Sequence, residues 1–232
     1  MEGNKDEWRQ SILDSINYKA SPSMLTQVVN DWVKLFPELK RYKSGQKILK
    51  RFGPVVYGIE LEKYLSSEYR PRIVAYSMIA NDSRLCTIID HTIRTEGYIE
   101  VSIKYAQHSE NYLPASHLLK GQSKIDLFGK PTLEKIIEAI IANVKADFRN
   151  CFWPCRAVMQ LSRLIDDKVK AEVYFEEGFD LLKKKTPAQW LEMETKGLEN
   201  WKMGIKNLTA EKIDILINEN IEKYRFENIP QA

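Results

Sequence analysis

This chain has little of what most catalytic and redox chemistry uses: three cysteines and three histidines among 232 residues. An odd, small number of thiols in a chain this long does not make a disulfide scaffold and suits a reducing compartment. No second CxxC, no HxxxH and no other paired spacing of metal ligands occurs, so a zinc site has no support. There is no GxGxxG, no GxxxxGK[ST] and no GxSxG elbow, which removes the motif-borne nucleotide-binding and serine-nucleophile classes. Every apolar run falls well short of the roughly 20 residues a bilayer span needs. The N-terminal stretch "MEGNKDEWRQSILDSI" carries acids where an export signal carries bases, and it has no apolar centre. The expectation is a cytoplasmic protein with no membrane attachment, no metal and no cofactor.

What is present is an ordinary globular composition, 44% hydrophobic and 29% charged, with enough apolar material for a core. The net charge is only +3, yet "KRYKSGQKILKR" at residues 40–51 holds six cations and no acid, so the rest of the chain nets −3. Lys40, Arg41, Lys43, Lys47, Lys50 and Arg51 interleave with Tyr42 and Phe52 and form the candidate binding set. A cluster of this kind meets phosphates or the acidic face of a protein. Its plain alternative is a solvated linker with Ile48 and Leu49 tucked beneath.

Periodicity divides the chain into helices, strands and helices again. Trp8, Ile12 and Ile16 recur at helical spacing, and so do Leu25, Val28, Val29, Trp32, Val33 and Phe36 after the Ser21-Pro22 start signal. The period then drops to two. Residues 53–64, 71–80, 84–94 and 97–106 read as four strands, the last with Ile99, Val101, Ile103 and Tyr105 on one face. Their short polar connections imply antiparallel pairing. Residues 107–130, broken by Pro114, Gly121 and Gly129, read as irregular with one helical turn at "SHLLKG". From Pro131 onward the pattern is helical, with Pro187 starting a helix that puts Trp190 and Trp201 on one stripe. Thr209 is a candidate N-cap for the last helix. The architecture expected is α+β: an N-terminal helical pair, a four-stranded antiparallel meander and a C-terminal helical half packed on it. The chain reads as one domain over 1–232, with a sub-boundary near 125–131 as the alternative.

The chemistry-bearing residues each admit a bland explanation. Cys151 and Cys155 in "NCFWPCRAV" are spaced by four and extend the buried stripe of Phe148 and Val158. That spacing departs from a redox CxxC, and the motif reads as a joint at which Pro154 interrupts the helix. His91 neighbours Asp90 in a strand, where successive side chains face opposite ways. His108 and His117 are nine residues apart in the irregular stretch. The first reading of function is therefore a non-enzymatic binding protein with a protein partner, an antagonist or inhibitor in type. A nucleic-acid-associated protein using Lys40–Arg51 is the second. An enzyme with a non-local site near Asp90, His91, His108 and His117 is the third.

Overall fold

The computed structural model describes residues 20–43, 45–80, 85–146 and 151–232. The expected first helix at Trp8–Ile16 lies outside these residues. Helix α1 spans Pro22–Leu35, capped by Ser21, whose hydroxyl accepts from Met24 N at 3.2 Å, with Pro22 in the first turn. Its stripe buries Val28, Val29 and Trp32 and ends at Phe36, before Pro37, as the spacing predicts.

Six strands follow: β1 (Lys40–Arg41), β2 (Lys47–Phe52), β3 (Val55–Leu65), β4 (Glu68–Ser77), β5 (Cys86–Thr92) and β6 (Ile103–Lys104). They form one sheet in the order β1-β2-β3-β4-β5, and β6 pairs with β4. The printed registers are antiparallel: Lys40 opposite Leu49, and Glu68 opposite Lys104. The meander thus holds, but the basic segment is not a linker. Ile48 and Leu49 are buried, and their backbone pairs with β1, so the charges ride on an edge hairpin. Only residues 103–104 of the expected fourth strand are ladder-paired as a strand. Tyr98 adopts φ +60°, which breaks the alternation and turns Ile99 outward.

The stretch 107–130 is corrected most. After a 3₁₀ turn at Tyr105–Gln107, α2 runs His108–Gln122, a 15-residue helix with Pro114 inside it. The C-terminal half is helical as expected: α3 (Leu133–Ala146), α4 (Phe152–Ser162), α5 (Lys168–Lys185), α6 (Ala188–Thr195), α7 (Leu198–Lys206) and α8 (Ala210–Tyr224). Pro154 sits in the first turn of α4, where its missing N–H is not needed, so it starts a helix rather than breaking one. Lys196 and Gly197, at φ +50° and +118°, divide the expected Pro187 helix into α6 and α7. Thr209 caps α8 by accepting from Lys212 N at 3.3 Å.

The contacts gather into two compact units. One holds the chain up to Leu49, Gly58–Ile73 and His91–Ser123; the other holds Lys50–Tyr57, Val74–Asp90 and Lys124–Ala232. In the first, Trp32, Phe36, Ile59, Tyr69, Ile103 and Leu119 are buried. In the second, Ile136, Ile140, Phe152, Cys155, Phe175 and Leu182 are buried. Gly178 of α5 lies where a Cβ would stand 3.2 Å from the Cys155 carbonyl, so α4 and α5 pack at close range.

Candidate functional site

The first unit holds a buried chain of polar side chains. The Trp32 indole N–H can only donate, and it reaches the Tyr69 hydroxyl oxygen at 3.1 Å. The Tyr69 proton is then directed to His108 Nδ1 at 2.8 Å. That leaves the His108 proton on Nε2, which faces Asp31 Oδ2 at 3.4 Å. Lys34 closes the outer end with a 2.8 Å pair to Asp31. Tyr112 stacks on the imidazole at 4.7 Å between centroids.

Sequence and fold explain why these groups meet. Asp31 and Trp32 are neighbours on α1, Tyr69 is in β4, and His108 opens α2. Asp31 and His108 are far apart in sequence, and no local pattern links them. Burial lowers the His108 pKa, against the opposing pull of Asp31, so the imidazole is neutral at pH 7. Burial works to raise the Asp31 pKa, but hydrogen bonds and charge from Lys34 and His108 outweigh it and the net shift is downward. Desolvation drives the Tyr69 phenol well above its ordinary value.

An Asp-His-Tyr series invites a catalytic reading, and exposure decides against it. Tyr69 is 0% and His108 5% exposed, so neither can meet a substrate. A recess of about 190 Å³ in the same unit, lined by Gln46, Lys63, Ser66 and Tyr105 among others, has no histidine or carboxylate among its described lining residues. His117 lies on α2 nine residues from His108, on the opposite face, and is exposed. Asp90 is exposed and His91 half-buried on β5. His108 and His117 of the enzyme expectation therefore do not converge on one side of α2. Among the described residues no group of three or more His, Cys, Asp or Glu could hold a metal ion, and no helix is long and apolar enough to cross a membrane.

The relay makes a pH prediction. A folded pKa below the unfolded value of about 6.5 means that the unfolded chain binds the proton first. His108 therefore contributes stability above about pH 6.5 that is lost as the pH falls from there through its folded pKa. Urea denaturation at pH 7.5 and 5.5 should show the wild type weaker at the lower pH, and His108→Gln should flatten that difference. Equal slopes in the two proteins would refute the assignment.

No family model, no curated protein and no solved structure matches this chain. Its function has to be read from its own surface.

The basic segment is less free than its composition implies. Lys40 and Lys43 are exposed, the latter 4.8 Å over the Tyr42 ring, and Arg41 Nε donates to the Gly45 carbonyl at 3.2 Å. Lys47 pairs with Glu60 at 3.2 Å. Lys50 points inward: it is 2% exposed, and its Nζ donates to the Gly129 carbonyl at 2.9 Å. Arg51 is bridged to the C-terminal stretch by its backbone N–H to Pro230 O at 2.8 Å and by Nη2 to Gln231 at 3.2 Å. Of the six candidates, Lys40, Arg41 and Lys43 carry the outward charge.

A different surface was hidden by the strand reading of 97–106. Between Ile93 and Val101 the chain forms a hairpin whose tip exposes Tyr98 by 82% and Ile99 by 70%. Thr95 N donates to Ile99 O and Tyr98 N to Thr95 O, both at 2.9 Å, and Val101 N donates to Ile93 O at 3.0 Å. The Gln122 side chain accepts from Arg94 N at 3.0 Å and donates to Arg94 O at 2.5 Å. Arg70 pairs with Glu100 at 2.6 Å and stacks on Tyr64, 3.2 Å from its centroid. Tyr64 and Leu65 are themselves about half exposed, at 47% and 48%. The signal available in the sequence was Glu96-Gly97, a turn pair followed by two large apolar residues.

Proposed function

We propose that this protein is a non-enzymatic, cytoplasmic binding protein that antagonises a protein partner by inserting the Tyr98–Ile99 tip into that partner's cleft. The observation that carries the reading is two adjacent large side chains, mostly exposed, on a hairpin clamped at its base. A non-glycine residue at φ +60° costs free energy, and the hydrogen-bonded turn maintains it. Holding aromatic and aliphatic anchors rigid before contact reduces the entropy lost on binding. Tyrosine and arginine are also the residues that dominate protein interfaces. Arg70 and Arg94 share the single Glu100 carboxylate, and Glu96 on the same hairpin supplies the second negative charge, so the formal charges around the tip cancel. Its complement is an uncharged apolar cleft. The three buried free thiols suit a reducing compartment.

A photo-crosslinking residue at position 98 should trap one discrete partner in native extract. Ile99→Asp should abolish that adduct without lowering the unfolding midpoint, because exposed substitutions change stability by only about 0.5 kcal/mol. The same crosslinker at position 43 should not give it. An adduct of equal yield from both positions, or none from 98, would sink the proposal. The nucleic-acid alternative would rest on Lys40, Arg41 and Lys43. It requires duplex DNA binding with a log–log salt slope near −3, at about −0.9 per phosphate.

A further inference from the structure

The α6–α7 hairpin of the second unit carries a surface of a different chemistry. Phe152 is buried, and three tryptophan rings surround it: Trp153 at 5.0 Å, Trp190 at 6.1 Å and Trp201 at 5.7 Å between centroids. Leu191, Thr195 and Ile205 turn inward, while Trp190 and Trp201 stay half-exposed. Met193, three residues on from Trp190 and hence its neighbour on the helix, is 63% exposed, whereas Met203, 54% exposed, stands two residues from Trp201 and so on the opposite side of α7. Thioethers and indoles beside water form the soft, adaptable surface that accepts apolar side chains of varied shape.

The charges around this surface have one sign left over. Glu192, Glu194 and Glu199 are exposed, and among the described residues none of them has an ion-pair partner. Of the nearby cations, Arg156 lies 5.4 Å from the Trp153 ring, and two lysines are paired with acids of α5. Lys202 pairs with Glu176 at 2.7 Å and lies 4.1 Å over the Phe179 ring, and Lys206 pairs with Glu172. Lys196 at the elbow is the one exposed cation between the two helices. Apolar side chains with a rim of uncommitted carboxylates complement an amphipathic helix whose apolar face is flanked by lysine or arginine.

We infer that the α6–α7 hairpin is a docking surface for a cationic amphipathic helix, with Trp190 and Met193 as apolar contacts and Glu192, Glu194 and Glu199 as its counter-charges. This site is separate from the Tyr98–Ile99 tip and does not depend on it. The probe is a designed leucine/lysine helix of about 18 residues, five turns, titrated into the full chain while tryptophan emission is followed. The expected result is a saturable blue shift that weakens with added salt. Charge reversal at Glu192, Glu194 and Glu199 to lysine should weaken binding by about tenfold or more. The corresponding glutamine triple variant should fall between, and both should keep the wild-type circular dichroism. Met193→Ser should weaken binding, and Ile99→Asp should leave it unchanged. A leucine/glutamate peptide of the same pattern that binds equally well would overturn the inference. So would the absence of a saturable shift, undiminished affinity in the lysine triple variant, or self-association that buries these tryptophans without peptide.

Discussion

Replacing Gly58 by alanine is expected to lower the unfolding midpoint by roughly 6–12 °C. Gly58 lies within β3, against β2. A Cβ there would fall far inside the van der Waals distance of the Ile48 carbonyl oxygen, 3.0 Å from Leu49 Cα and 3.1 Å from the Ile48 carbonyl carbon. All three obstacles are backbone, so no rotamer change relieves them. Strand β2 would have to move, and the Lys40–Leu49 and Arg41–Ile48 pairs of the edge hairpin would move with it. Overpacking of this kind costs about 3 kcal/mol or more. At about 2–4 °C per kcal/mol for a chain of this size, that gives the stated shift. Gly121→Ala is the control: no atom lies within 4 Å of the added methyl, and in a helix it should be neutral or stabilising. Thermal melts of the two variants followed by circular dichroism decide the matter. A loss at Gly58 no larger than at Gly121 would refute the close β2–β3 approach.

The second large effect is kinetic. In the folded protein Cys155 should react with iodoacetamide at pH 8 about a thousandfold more slowly than a solvated thiol. Cys86, Cys151 and Cys155 are all buried, and Cys155 is 0% exposed. Burial, reinforced by the neighbouring Cys151 thiol, pushes the Cys155 thiol up to about 12. The reactive species is the thiolate, and at pH 8 a pKa near 12 leaves about one part in ten thousand ionised, against about a quarter at the ordinary value of about 8.5. Raised above its unfolded value, the Cys155 thiol contributes stability below about pH 8.5 that is lost only as the solution becomes strongly alkaline. Mass spectrometry should find the native chain unlabelled after conditions that fully alkylate it in urea. Rapid native labelling at Cys151 or Cys155 would reopen the redox reading of "NCFWPCRAV".

Elements with strong, unbroken periodicity were readable in the sequence. The run Ile136–Val144 and the alternation from Val55 to Leu61 put the expected residues inside, and the stripe of α1 does so for Val28, Val29, Trp32 and Phe36, with Leu25 and Val33 half-buried. Where two signals competed, tertiary context won. Pro114 and Gly121 spoke against a helix at 108–122, yet burial of His108, Ala115, Ser116 and Leu119 holds one there. The six cations of 40–51 spoke for a linker, yet Ile48 and Leu49 are buried in a strand paired between β1 and β3. The alternation through Ile99 was real as a pattern, and a left-handed Tyr98 cancelled it within one residue. Trp190 and Trp201 lost their common helix at Gly197 but still converge on Phe152. The Asp31–His108 pair had no local signal, because α1 and α2 meet only through the fold.

The division of the chain between the two units bears on how such a protein is inherited. The chain passes from one unit to the other after Leu49, Tyr57, Ile73, Asp90 and Ser123. A single crossover after Ser123 carries the whole first unit but also Lys50–Tyr57 and Val74–Asp90 of the second, and one after Leu49 carries the whole second unit together with Gly58–Ile73 and His91–Ser123 of the first. Neither unit can therefore be moved into another gene by itself as one contiguous cassette.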